Sequence, residues 1–442
     1  MQVAVRPIFN FIRVHFLKTD IFSSLCIVKD KMLMRKLLFV LAAALMLAAS
    51  CERVDHSGEK YYPDTAYLPL DTVAKLFSVL PIEVGHMQEV HDAVSSSSGN
   101  GYDEEYLMKD LFESPGAGVG MDPKSRAVRT KSYARPLKEL IAEHFAAMTK
   151  AAGDSERGAM TPEEYLEALE KSDIQIYWPY SEKWDGREWP IITFDPGNGA
   201  EVNVGYRMRE KSDGSKYVEE VIVDEQMTAE HPVWVVNRND DCQYESLEMI
   251  KRRDPEWGTG GGSIVIRPSG VATGLPVQAS SSGTVRSLVL KDFLMHRNYD
   301  CWFAGASEFF FKVGSVENFT ASTEAELKLY NPQITDFMLV VKRNQVGQRV
   351  PMNIMLVSQW TDQLDNIAFL LTEDDGGTRT EWKCSAVVKV KSKSYGFDVS
   401  LPFNSRDDIV WRGELSARYL EKYDGITSRF GDVDLTFSFL ER

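Results

Sequence analysis

The sequence predicts an α+β fold: a small helical unit in front, a β-rich middle domain, and an antiparallel β-sandwich at the end. Three observations carry this expectation. Apolar residues recur at helical spacing in short segments between Leu70 and Ser172. From Ile174 the period shortens to two. After Val285, alternating or apolar segments follow one another, separated by turn residues and with little helical pattern.

The chain opens with 33 residues that precede a signal-like segment. A signal belongs at the N terminus, so residues 1–33 read as a misassigned start, with translation beginning at Met32 or Met34. Met34 to Ser50 has Arg35 and Lys36, then an apolar run from Leu37 to Ala49, which falls short of the roughly 20 residues that span a bilayer. Its Leu47-Ala48-Ala49-Ser50-Cys51 end resembles the lipobox of bacterial lipoproteins, with Ala48 where that family most often has Leu. The resemblance implies a signal peptide over 34–50, acylation of Cys51 and a lipid anchor in the cell envelope.

Without residues 1–50 the chain keeps 43 Lys and Arg against 63 Asp and Glu, a formal net charge of −20. Such a chain lacks the clustered cations that phosphate contacts need, which argues against nucleic acid. It is also repelled by anionic lipid, leaving the acyl chains as its hold on the membrane. Cys242, Cys301 and Cys384 remain for chemistry. Their wide spacing supports neither zinc nor a redox motif and permits at most one disulfide, with buried unpaired thiols the plainer expectation.

Residues 51–69 are polar, with Pro63 and Pro69, and read as a tether. In lipoproteins of the Bacteroidota type, acidic residues after the cysteine favour export to the outer face. Only Glu52 and Asp55 stand here, which leaves the periplasmic and surface faces both open. Asp64-Thr65-Ala66 and Asp71-Thr72-Val73 resemble that group's Asp-Thr-apolar O-glycosylation sites, although Asp71 also suits the N-cap of a helix carrying Val73, Leu76, Phe77 and Leu80.

The helical unit spans 70–172. A second helix is predicted over Gly85–Val94, a break at Ser95–Gly101, and a third helix over Asp103–Phe112. His86 and His91 are five residues apart, which sets them about 140° apart around a helix and rules out shared metal ligation; a solvated polar face is the expectation. Gly116–Gly120 is a loop without the Lys-Ser/Thr of a phosphate cradle. Leu137 to Met148 is amphipathic with His144 at its core edge, and Thr161, Pro162 and Glu164 open a further helix with a capping box.

Strands are predicted in the middle domain (173–283) at Ile174–Trp178, Pro190–Phe194, Glu201–Met208, Tyr217–Val223 and Val233–Asn237, with turns at Gly197–Gly199 and Ser212–Ser215. Trp178, Trp184 and Trp189 crowd one stretch with Tyr177 and Tyr180 beside Glu182, Asp185 and Glu188. Aromatics among acids can stack on a sugar or clasp a peptide, and tryptophans at strand ends also pack cores. Gly258–Ser263 and Val271–Gly283 read as linker. The stretches IYWPYSEKWDG (176–186), PIITFDP (190–196), HPVWVVNRNDD (231–241) and WFAGASEFFFKV (302–313) together resemble a module of uncharacterised secreted or lipid-anchored bacterial proteins. That likeness covers roughly 174–442 and implies architecture and location, with no activity to carry over.

The sandwich (284–442) is read from Val285–Leu294, Glu308–Val316, Asp336–Lys342, Asn353–Ser358, Ile367–Leu371, Cys384–Val390, Phe397–Leu401, Ile409–Leu415 and Val433–Phe439. Loop acids Asp362 and Asp365, Asp374 and Asp375, Asp407 and Asp408, and Asp424 with Asp432 offer hard oxygen ligands of the kind calcium takes, without a D-x-D-x-D-G run. Ser307 in Gly305-Ala306-Ser307 lacks the strand-turn-helix setting of a nucleophile. Paired carboxylates for glycoside hydrolysis cannot be picked from spacing. The expectation is therefore a cell-envelope, outer-membrane lipoprotein acting as a non-catalytic binding or accessory module for glycan or protein ligands, with a hydrolase of glycan or peptide and a structural envelope component as alternatives.

Overall fold

The computed structural model describes residues 68–112, 131–152, 161–239, 244–255 and 286–441. The leader, the signal, Cys51, most of the tether, the Gly116–Gly120 loop, Cys242 and the 258–283 linker lie outside the described residues.

The fold is α+β with a β-rich body. Helix α1 (Leu70–Val79) starts after Pro69, so Asp71 lies in its first turn, bonded to Lys75, and is not the cap. Helix α2 runs Val84–Gly99 and carries Ser95–Ser98 within it. The expected break fails because serine is only mildly unfavourable in a helix and Ser97 is buried against the fold. The predicted third helix divides into strand β1 (Glu105–Leu107) and the short α3 (Met108–Phe112), since β1 pairs with β2 (Ile174–Tyr177). Helix α4 is Leu137–Ala152; α5 is Pro162–Glu170, opened by the Thr161/Glu164 capping box.

Next come β3 (Ile191–Phe194), β4 (Val202–Glu210), β5 (Lys216–Asp224), α6 (Glu225–Glu230) and β6 (Val233–Arg238). They form a sheet in the order β1-β2-β6-β3-β4-β5, antiparallel except for the parallel β3–β6 pair. One face of this sheet meets the helices: Val73, Phe77, Val90, Ile141 and Leu169 share a core with Ile176, Trp178, Trp234 and Val236. Helical unit and middle strands thus make one lobe, with a common core running across Ser172. Periodicity identifies a buried face but not what it packs on.

Helix α7 (Leu247–Arg253), capped by Ser246, leads toward the sandwich. The smaller sandwich sheet has the order β10-β7-β16-β15, with β7 Arg286–Met295, β10 Arg349–Trp360, β15 Thr427–Phe430 and β16 Val433–Glu441. The larger runs β13-β12-β11-β8-β9, with β8 Ser307–Ser315, β9 Gln333–Val341, β11 Leu364–Glu373, β12 Arg379–Val390 and β13 Lys393–Asn404; β14 (Asp408–Ser416) also pairs with β11, and α8 (Ala417–Lys422) follows it. Their inner faces interdigitate through Leu288, Phe293, Phe309, Phe311, Leu356, Phe369 and Leu435. Gly314 is required in β8 because a Cβ there would come 2.5 Å from Val399.

The β7–β8 connection locks the sandwich to the lobe. Trp302 and Phe303 are fully buried on the second face of the lobe's sheet, against Tyr177, Ile191, Val233 and Val235. Trp302 Nε1 donates to the Glu201 carbonyl at 2.9 Å, and Asn237 Nδ2 donates to the carbonyls of Phe303 and Ala304.

Candidate functional site

The three tryptophans singled out in the sequence do not form one row. Trp178 directly follows β2 and is 1% exposed; its ring lies 5.9 Å from Trp234 and 5.5 Å from Trp184, so it is core. Trp184 is half-buried at the lobe's edge, donating Nε1 to the Glu188 carbonyl at 3.1 Å. His91 packs against both indoles, and His86 is buried with Nδ1 accepting from the Glu83 amide. The expected solvated face of α2 is thus partly core, because the turn after β2 folds over it. That turn is built on Tyr180, in the left-handed region at φ 58°, followed by a 3-10 turn at Ser181–Lys183. Asp185 Oδ1 accepts from the Arg187 amide, and His231 Nδ1 meets Glu188 Oε1 at 2.7 Å, which fixes the loop that delivers Trp189.

Trp189 faces a different place. Lys216 Nζ sits 4.4 Å above its ring, and both line an open groove with Phe77, Leu80, Tyr206 and Met208. The groove is shallow and open to solvent, with depth for about one water molecule. It exists because Leu80 leaves α1 in an extended conformation and Pro81 prevents the helix from continuing over β4. Chemically it offers a half-buried indole and one ammonium group, suited to a ring and an anion beside it; Tyr206 is buried beneath them.

A second cluster was not foreseen as such. Of the four acidic pairs, Asp362 lies 3.9 Å from Arg286, Asp365 bonds Lys389, Asp424 accepts from the Phe439 amide, and Asp432 pairs with Arg297. Asp374, Asp375, Asp407 and Asp408 do come together where β11 and β13 end. Asp374 Oδ1 accepts from Gly376 N and Asn404 Nδ2, while its other oxygen meets the Asp407 carboxyl. Beside them Asp300, Glu308 and Glu373 bring carboxylate oxygens within 4.8 Å of one another, close enough for one hard cation such as calcium to touch all three. Asp300 and Glu373 are also hydrogen-bonded to each other, so a proton competes for that space. Burial pushes Asp300 and Asp407 up to about 7 and Asp375 up to about 6, with neighbouring acids adding to each shift. Glu308 and Glu373 are 8% and 1% exposed, so a bulky substrate does not reach them.

Ser307 is 1% exposed and its hydroxyl accepts from the Tyr299 amide, in keeping with a structural part. Cys301 and Cys384 are half-buried free thiols that burial pushes up. One signal of the second cluster was present in the sequence: Glu308 and Lys312 interrupt the apolar run of β8. No family model matches the chain, and no curated protein or solved structure matches it either.

Proposed function

We propose that the chain is a cell-envelope lipoprotein, acylated at Cys51 and held by lipid to the outer membrane, whose body is a non-catalytic binding or accessory module for a glycan or protein ligand. The signal-like segment ending at Cys51 supports the address. Among the described residues no helix is long and apolar enough to cross a membrane. The observation that carries the binding reading is the groove at Trp189: a stacking surface beside a lone ammonium, open to solvent and framed by α1 and the sheet. A sugar or proline ring would rest on this shallow surface from outside, and a carboxylate on the ligand would find Lys216.

The test is the thermal midpoint of soluble Val54–Arg442 against a panel of glycans and peptides, with Trp189→Ala in parallel and product analysis on every mixture. A ligand-dependent rise that Trp189→Ala abolishes, without product, supports the reading. New reducing ends or cleaved peptide would make the protein a hydrolase, and no shift anywhere would favour a structural envelope component. Palmitate labelling of the whole cell-expressed chain, lost in Cys51→Ser, tests the anchor.

A further inference from the structure

Strand β5 stands last in the lobe's sheet. Among the described residues its one sheet neighbour is β4, which pairs with it over all nine positions from Lys216 to Asp224 without a bulge. Its other edge therefore presents about 30 Å of backbone N–H and C=O groups that no strand among the described residues meets. Side chains along that strand are open as well: Ile222 is 66% exposed and Tyr217 42%.

The side chains of β5 on the groove's face form a patterned row. Lys216 lines the groove beside Trp189, and alternation along the strand puts Val218, Glu220 and Ile222 on the same face. The order is cationic, apolar, anionic, apolar. Lys75 lies near Glu220, but its ammonium is bonded to Asp71 at 3.3 Å. On the other face Glu219 is bonded to Arg209 at 2.8 Å, within the β4–β5 hairpin.

This row discriminates among occupants. A second copy overlapping the whole strand antiparallel sets Glu220 against Glu220, and in-register parallel pairing repeats every like charge, in a chain that is already strongly acidic. A glycan carries no N–H and C=O ladder to match the edge. A peptide strand does, and its side chains can complement the row.

We propose that β5 takes up an extended segment of a partner protein as a seventh, antiparallel strand, with the pattern apolar-x-basic-x-apolar-x-acidic from its N to its C terminus. The four patterned residues face Ile222, Glu220, Val218 and Lys216 in turn. This rests on the binding reading of the Trp189 groove and narrows its ligand to a protein segment, whose carboxylate arrives at Lys216. The backbone ladder supplies the affinity that a shallow groove lacks. The row supplies register, because a slip of one residue turns every complementary side chain to the far face. Charges that guard the edge against its own copies admit a strand of opposite pattern.

The test is fluorescence anisotropy on the purified full-length protein with the end-blocked, labelled peptide Val-Thr-Lys-Thr-Val-Thr-Glu and its charge-reversed form Val-Thr-Glu-Thr-Val-Thr-Lys. The first should bind about tenfold more tightly, and Glu220→Lys should reverse that order. Methylating alternate amides of the first peptide should abolish binding in one of the two frames and spare it in the other. Should Glu220→Lys not fold, Lys216→Glu with a peptide ending in Lys makes the same exchange of charge. Equal binding of the two peptides, or an order that the variant leaves unchanged, overturns the pairing. So does a dimer whose strength Glu220→Lys alters, which would seat a second copy on β5. A glycan bound through Trp189 while neither peptide binds overturns the added strand and leaves the groove reading standing. Peptide binding with the expected order that survives Trp189→Ala keeps the strand and removes the groove.

Discussion

Arg343 and Glu225 face each other across the junction of lobe and sandwich in a two-pronged contact, Nε to Oε1 at 2.7 Å and Nη2 to Oε2 at 3.2 Å. The guanidinium is almost fully buried and also serves the carbonyls of Asp300 and Gly305, whereas Glu225 is partly exposed. Arg343→Ala leaves those acceptors without a donor. It should destabilise the protein by about 2–3 kcal/mol, less than a fully buried pair because water reaches Glu225. Arg343 holds Glu225 below its usual 4.5, so this contribution is present above that value and lost as pH falls through the lowered one. Urea midpoints of wild type and Arg343→Ala should therefore differ more at pH 7 than in acid, where only the loss of the two carbonyl bonds remains; a gap that does not change with pH would show that the ion pair is not its source.

Trp178 and Trp189 should separate cleanly. Trp178 packs between Trp234, Trp184 and His91, so Trp178→Ala should cost about 3–5 kcal/mol. Trp189 is half-buried under an exposed lysine, and its removal should cost no more than about 1 kcal/mol while abolishing any ligand-induced shift. Denaturant melts of both variants decide it. A Trp189→Ala protein as unstable as Trp178→Ala would make both indoles structural.

Gly314 and Val399 give a test of sandwich packing. An added Cβ at Gly314 meets Val399 at 2.5 Å, and β8 and β13 are held too firmly by their neighbours to part. Gly314→Ala should cost about 1–3 kcal/mol, and Val399→Ala should recover part of that loss in the double variant by vacating the space. Additive losses would mean that the two residues do not meet.

These residues also mark how far the sequence could be read. The strands were legible because alternation such as Ala386, Val388 and Val390 inward with Lys389 outward records one buried face. The capping box at Thr161 and Glu164 was legible because both partners are local. Ser95–Ser98 was not, since a serine run turns helical only when a core such as that under Ser97 holds it. The single core of helices and middle strands was invisible, because apolar periodicity says that a face is covered and not by what. Trp189 borders the open groove and Trp178 lies in the core, yet the two are identical in type and only burial tells them apart. Asp300, Glu308 and Glu373 are spread over more than seventy positions, and only the pairing of β8 with β11 brings the last two together.

The Asp374–Asp407 pair shows what such an assembled cluster does to stability. Asp407 Oδ2 accepts from the Asn404 amide at 2.7 Å, and its other oxygen meets Asp374, while Lys312 favours the ionised form from across the sheet. Burial pushes Asp407 up to about 7, from 3.8 when unfolded. Between those values the native protein holds a proton that the unfolded chain does not, so this site's stabilisation is complete below about 4 and drains away as pH rises to about 7. Asp407→Asn replaces the shared proton with a permanent N–H aimed at Asp374, and its other edge can still accept from Asn404. The wild-type thermal midpoint should fall more steeply than the variant's between pH 5 and pH 8. Parallel curves would mean that no proton is held between the two carboxyls.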